Sequence, residues 1–370
     1  DMIFPFIPIF LTSVLGASLT FVGLVEGLAD SAASILKIAS GWLSDKVQKR
    51  KPFAVFGYSI SAVAKPLLAF AGAPWHVLAV RFLDRVGKGT RDAPRDALIS
   101  FSIDRKLYGR AFGFHRGMDT LGAAFGPLIA FAVLPLIAND LRTLFLLSFV
   151  ASFFAVLILI IFVREVKPDH VITTEFRPIK LREVGLPFFV FLGIATFFSL
   201  GRASDAFLIL QAREVGVALA LLPIIYFVGN ITFALCSTPL GMLGDRIGKR
   251  WVWTLGLVVL SLTYFGFASF QFAAAAWVLF VFYGLYQALT EGVSRAIVAD
   301  LVRPEIRGTA FGFFNAFTGA ALLPGSVIFG FFAERFGTGF AFSYAAVMVL
   351  LAALAFTVLR LFYLKNISNI

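Results

Sequence analysis

The chain has 370 residues, 59% of them hydrophobic and only 14% charged, and a net charge of +11 at pH 7. Soluble domains carry about 25% charged residues, and a water-soluble fold of this size cannot hide so much apolar surface, because surface scales too steeply with mass. Composition therefore excludes an ordinary soluble protein and points to lipid as the solvent, where a span needs about 20 apolar residues.

Twelve apolar stretches follow in chain order, near 1–16, 20–43, 52–72, 76–93, 109–137, 142–163, 186–210, 218–243, 251–269, 274–298, 309–333 and 338–363. Runs of this length read as helices, since barrel strands alternate over about ten residues. The first opens at Asp1 with no basic flank and reads as a truncated helix. Lys and Arg fall in alternate loops: Lys46, Lys49, Arg50 and Lys51 after the second span, Arg105 and Lys106 after the fourth, Arg164 and Lys167 after the sixth, Arg246, Lys249 and Arg250 after the eighth, Arg303 and Arg307 after the tenth. The stretches 15–19, 71–75 and 270–273 contain neither residue. Basic loops stay cytoplasmic, so both termini are expected inside the cell, the chain in the inner membrane, and the positive charge needs no nucleic-acid partner. One cysteine, Cys236, forbids an internal disulfide, and the three scattered histidines offer no zinc spacing. No metal or cofactor is implied.

Between spans two and three stands GWLSDKVQKR (41–50), and between spans eight and nine GMLGDRIGKR (241–250). GRAFGFH (109–115) likewise returns as GTAFGFF (308–314). The common offset makes the chain two parallel six-helix repeats, since an even number of spans keeps both copies in one orientation. The expected division is a first bundle over 1–163, a polar cytoplasmic linker over 164–185 and a second bundle over 186–370.

The doubled G-x-L-x-D-[RK]-x-x-[KR]-[KR] loop resembles the signature of the major facilitator superfamily, and twelve spans in two halves extend the resemblance along the whole chain. Gln48 departs from the family's usual glycine, which the second copy keeps as Gly248. The resemblance implies an all-α polytopic secondary transporter, working as a monomer on a small-molecule substrate. It also implies a conformational latch at Gly41, Asp45, Arg50, Gly241, Asp245 and Arg250: glycines for close helix approach, aspartates facing a helix N-terminus of the other half, and basic residues meeting lipid head groups. A positive-inside signal alone would account for the charges but not for the repeated Gly and Asp. On the fifth span Gly113, Gly122, Gly126 and Pro127 resemble the family's antiporter motif, although Ala130 and Phe131 replace its last two glycines. That motif implies export by exchange; ordinary glycine-rich helix packing is the competing reading.

Charges inside spans cost about 3 kcal/mol each by insertion scales. Glu26, Asp30 and Lys37 share one face of helix 2 and helix 4 carries Arg81, Asp84, Arg85 and Lys88, followed by Arg91, Asp92, Arg95 and Asp96 near a membrane edge. Arg85-x-x-x-Gly89 resembles a family motif linked to proton coupling. Glu26, Asp30, Asp84 and Arg85 are the proton-coupling candidates. Lys37, Arg81, Lys88, Arg116, Asp119, Arg202, Asp205, Tyr226, Asn230, Tyr283, Gln287, Glu291 and Arg295 are the substrate-cavity candidates. Two readings stand: a water-filled pathway, or charges that pair off and stitch helices together. No G-x-x-x-x-G-K-[ST] loop exists to bind a nucleotide, so a proton gradient is the expected energy source. Proton antiport in the export direction is the favoured function, uptake or facilitated diffusion of an anionic solute the alternative, and a membrane-embedded enzyme a remote third.

Overall fold

The computed structural model describes residues 2–47, 49–102, 108–165, 185–303 and 306–359, with the side chains of 45, 100, 101, 108–114, 116, 117, 120, 121, 245, 307–309 and 359 excepted. Twelve helical segments follow one another among the described residues: α1 (Phe4–Val14), α2 (Leu19–Val47), α3 (Lys51–Phe70), α4 (Pro74–Phe101), α5 (Tyr108–Val133), α6 (Leu141–Phe162), α7 (Leu186–Glu214), α8 (Leu222–Ile247), α9 (Lys249–Ser269), α10 (Ala273–Leu301), α11 (Arg307–Phe336) and α12 (Thr338–Leu359). Among the described residues nine of them are long and apolar enough to cross a membrane. The other three are α1, which is short; α5, whose apolar part is Gly122–Ile137; and α4, which has the length but carries eight charges between Arg81 and Asp96.

The seventh span is not the continuous run that its apolarity predicts. It breaks after Gly201 and restarts at Asp205. Arg202 is extended there, and Ser204 caps the new helix by accepting from the Ala206 amide at 3.4 Å. A Ser-Asp pair is a helix start signal, and inside an apolar stretch it overrides the run.

The chain divides into two compact units, Asp1–Ala17 with Leu28–Arg177, and Ser18–Gly27 with Pro178–Ile370. In the first, α3 packs on α4 and α6; in the second, α9 packs on α10 and α12, the same arrangement one repeat later. The core of the second unit is aromatic: Phe191 and Phe356 flank Trp253 at 5.3 and 4.7 Å between ring centroids, and Tyr264, Phe329 and Phe342 form a neighbouring cluster. In the first unit Phe145 packs edge-on to Phe10, with the Arg142 guanidinium 5.3 Å from the Phe10 ring.

Helix crossings are tightest at glycines that the repeat motifs do not contain. A Cβ on Gly57 of α3 would sit 2.5 Å from the Gly87 carbonyl of α4, and one on Gly284 of α10 would run into the Gly229 carbonyl of α8. By contrast, Cβ atoms on Gly122 and Gly241 would meet nothing within 4 Å among the described residues. Among the described residues the close approach expected at Gly241 is therefore not seen, and Gly41 comes only to ordinary contact, 3.4 Å from the Ala93 Cβ.

The loop before α3 is held within its own half. The backbone amides of Arg50 and Lys51 donate to the Glu165 carboxylate at 2.9 and 2.8 Å, so an anion sits on a helix N-terminus, where free amides and the dipole favour it. Glu165→Gln is expected to lower stability by about 2 kcal/mol, the scale of a charge-assisted hydrogen bond. Thermal unfolding in detergent measures it; an unchanged midpoint means that water replaces the contact. At the opposite end of α6, Asp140 caps the helix through the Arg142 and Thr143 amides, both at 3.1 Å. The hydrogen bonds from the Thr143 hydroxyl and amide hold its carboxyl below the ordinary value. Its stabilisation is thus complete above the ordinary carboxylate pKa and is lost as pH falls through the lowered one. Asp140→Ala is expected to cost about 1 kcal/mol at neutral pH, and the unfolding midpoints of the two proteins should converge in acid.

Candidate functional site

Within the first unit, α2, α3 and α4 carry a dense polar seam. Close packing at Gly57 and Gly87 brings α3 against α4, and hydroxyls tap the α4 carbonyls: Ser61 donates to the Asp84 carbonyl at 3.2 Å and Ser40 of α2 to the Gly89 carbonyl at 2.7 Å. Along this seam the charged candidates find one another. Lys37 pairs with Asp92 at 3.0 Å, Arg85 with Asp30 at 3.9 Å and Arg81 with Asp84 at 3.9 Å. Arg81 is buried and its guanidinium lies 5.6 Å from the Phe4 ring. Arg91 donates to Ser61 at 2.8 Å and lies 4.3 Å over the Tyr58 ring; Arg95 donates to the Tyr58 hydroxyl at 3.3 Å and to Asp96 at 3.1 Å.

The pairs differ in kind. The Lys37–Asp92 contact has hydrogen-bond length, whereas 3.9 Å between Arg85 and Asp30 is longer than a hydrogen bond. Asp30 keeps 42% of its side-chain surface exposed against 12% for Arg85. Its carboxylate is thus held loosely and reachable. Glu26, one turn earlier, is 2% exposed and belongs by its contacts to the second unit. Lys88 is half-buried and makes no ion pair or hydrogen bond among the described residues; the charges that act on it are Arg85 and Lys37 against Asp92 and Asp30. Among the described residues, Lys65 on α3 donates to the Ser152 hydroxyl alone, at 3.2 Å. Sequence reasoning passed over Lys65, Ser61 and Tyr58. For Lys65 the signal was available, a cation inside an apolar span, and the rule applied to α2 and α4 would have found it.

In the second unit the break of α7 gathers the polar residues. Arg202 and Asp205 stand at its two ends. The Tyr283 hydroxyl of α10 donates to the Asp205 carboxylate, and Tyr264 of α9 accepts from the Ala203 amide at 3.1 Å. Arg202 lies within electrostatic reach of Tyr286, Tyr283, Asp205 and Tyr264. A small cavity opens beside the break, walled by Asp205, Tyr226, Asn230, Phe280, Tyr283 and Gln287. Five of these six were singled out by sequence; Phe280 and Tyr264 were not, since one more aromatic among 45 phenylalanines and eight tyrosines carries no signal.

The remaining candidates lie elsewhere. Asp119 is exposed on α5, Arg295 is exposed near the end of α10, and Glu291 is half-buried within electrostatic reach of Tyr286. The side chains of Asp45, Asp245 and Arg116 and the surroundings of Gly113 lie outside the described ones, as does most of the 164–185 linker. Arg50 is buried and Arg250 half-buried.

The family model of the Major Facilitator Superfamily matches residues 1–211 and 188–366. The MFS-type transporter MJ1317 of Methanocaldococcus jannaschii is 35% identical over 96% of this chain and 89% of its own length. The multidrug resistance protein MdtH of Yersinia enterocolitica is 31% identical over 35% of this chain and 32% of its own. Among solved structures, a bacterial homologue of the human lysosomal transporter Spinster has the same fold, with a TM-score of 0.80 at 15% identity over 99% of this chain and 94% of that one.

Proposed function

From the premise that this chain belongs to the major facilitator superfamily, and so is an integral membrane transporter, we propose that it exports a small solute in exchange for protons by alternating access. It acts as a monomer in the cytoplasmic membrane, with both termini inside the cell. The observation that carries the proton role is the loose Asp30–Arg85 pair on facing helices, 3.9 Å apart with the carboxylate exposed. A carboxylate so placed can exchange its guanidinium partner for a proton, and Glu26, buried one turn earlier on the same helix, is a second carboxylate on that face. Antiport follows when solute and proton compete for the same carboxylates, by the reciprocity of coupled binding. The export direction is supported by the glycine and proline run of α5 and by the likeness of about a third of the chain to a multidrug resistance protein.

A second reading, uptake of an anionic solute together with a proton, is favoured by Lys88 and Lys65, neither of which forms a salt bridge among the described residues, although Asp92 and Asp30 act on the first and Asp84 on the second from further away. There, protonation of Asp30 would release Arg85 to the anion. One measurement separates the two. Proteoliposomes containing a pH-sensitive dye are offered a panel of cationic, neutral and anionic solutes. Antiport predicts that solute and protons cross in opposite directions; movement in the same direction, elicited only by anions, overturns it in favour of the second reading.

A further inference from the structure

Glu334 stands against its own helix. It lies in the last turn of α11, where the dipole disfavours an acid and favours Lys or Arg. Its carboxylate is spent on the start of another helix. One oxygen, Oε2, accepts the Thr20 amide at 3.1 Å and the Thr20 hydroxyl at 2.5 Å, in the first turn of α2. Beside it Ser18 accepts from the Phe21 amide at 3.2 Å, so two first-turn donors that lack a partner within the helix are met, one of them from α11. Below this cap the two helices touch backbone to backbone. A Cβ on Gly330 would run into the Leu19 carbonyl, one on Gly23 into the Ser326 carbonyl, and one on Gly27 would sit 2.8 Å from the Leu323 Cα. Numbers fall along α11 as they rise along α2, so one antiparallel seam runs from Thr20 to Gly27. Both of its sides belong to the second unit. Glycine contacts of this kind present smooth faces with no interlocked side chain, and beyond them Ile35, Ile38 and Trp42 of α2 are exposed.

We propose that Glu334 is a positioning residue for transport: a clasp that holds the outer end of α2 shut on α11 and lets go once in each cycle. The clasp takes the outer side from the transport reading above and rests on it. Glu334 acts through α2, the helix that carries Asp30, and touches neither proton nor solute; it sets the fraction of molecules in which that helix is closed at its outer end. Release exchanges two hydrogen bonds to a charged acceptor for water and strands no group, because the contact is exposed. Such a contact biases an equilibrium and still breaks at every turnover.

The test places a thiol in the seam. Ser326 is buried there, and Ser326→Cys in a Cys236→Ala background makes it the reporter. Ser261→Cys in the same background is a second reporter, buried in the packing of α9 on α12, where Ser261 donates to the Ala346 carbonyl at 2.9 Å. The full chain in detergent is treated with N-ethylmaleimide at neutral pH, and the labelling rate is read by mass spectrometry. Where opening and closing outpace the reagent, that rate follows the open fraction. Glu334→Gln is expected to raise the rate at position 326 about tenfold and to leave the rate at position 261 unchanged. Thr20→Val, which removes the hydroxyl and keeps the amide, should raise it less, and the double variant should add little to Glu334→Gln, since both act through one contact. An unaltered rate at position 326 makes the contact idle. An equal rise at both reporters makes it an ordinary cap whose loss loosens the whole chain. Either result overturns the clasp. Neither protons nor solute enter this readout, so failure of the clasp leaves antiport standing, and failure of antiport leaves the clasp standing.

Discussion

Arg85→Ala is expected to lower solute turnover about a hundredfold, equivalent to about 2.7 kcal/mol of lost transition-state stabilisation, while the protein still folds. The fold survives because the partner left behind, Asp30, is 42% exposed and keeps its hydration, so no charge is stranded in a dry interior. On the proposed exchange, turnover falls because Asp30 trades the guanidinium for a proton in each cycle. Asp30→Asn should remove proton movement while leaving passive exchange of solute, because the amide still reaches Arg85 but cannot take up a proton. The double variant should resemble the single ones rather than compound them, since both act through one contact. Counterflow in proteoliposomes and the gel-filtration profile of extracted protein are the measurements. Normal pumping by either variant makes the pair a structural strut, and a collapsed monodisperse peak for Arg85→Ala does the same from the other side.

The second large effect is on stability. Gly284→Val is expected to destabilise by about 3 kcal/mol, the upper end of overpacking costs, and to abolish the monodisperse peak. Its Cβ would enter the Gly229 carbonyl and lie 2.9 Å from the Thr232 Cβ, and a backbone cannot swing aside as a flexible side chain can. Gly57→Val should behave likewise in the first unit, because its Cβ would sit 2.5 Å from the Gly87 carbonyl. Gly122→Ala and Gly241→Ala are the controls, with open space around both, and should leave the thermal midpoint within about 0.5 kcal/mol of the parent. Equal damage at all four positions would mean that backbone conformation, not the crossing distance, sets the cost.

This contrast marks what can be read from a membrane sequence. The hydrocarbon core demands that every span be apolar and satisfy its own backbone hydrogen bonds, so spans, alternate basic loops and the two-fold repeat stand in the order of residues itself. The same solvent makes each intramembrane charge conspicuous, which is why Asp30, Arg81, Asp84, Arg85 and Lys88, and the polar set around Asp205, were identifiable without coordinates. Partners were not. Lys37 meets Asp92 and Arg85 meets Asp30 across a helix crossing, and a crossing is fixed by which small residues face a neighbour. Gly57, Gly87, Gly229 and Gly284 do so, while Gly122 and Gly241, two of the motif glycines, meet nothing within 4 Å among the described residues. Nor could apolarity show that α7 stops at Gly201 and restarts at Asp205. In lipid a broken helix needs partners for the amides and carbonyls that it frees, and Tyr264, which serves the Ala203 amide and carbonyl, comes from a helix about 60 residues further along. The sequence alone determined the membrane fold, its repeat and the inventory of costly side chains; the tertiary structure alone decided which of them meet, because contact depends on the helix faces that packing selects.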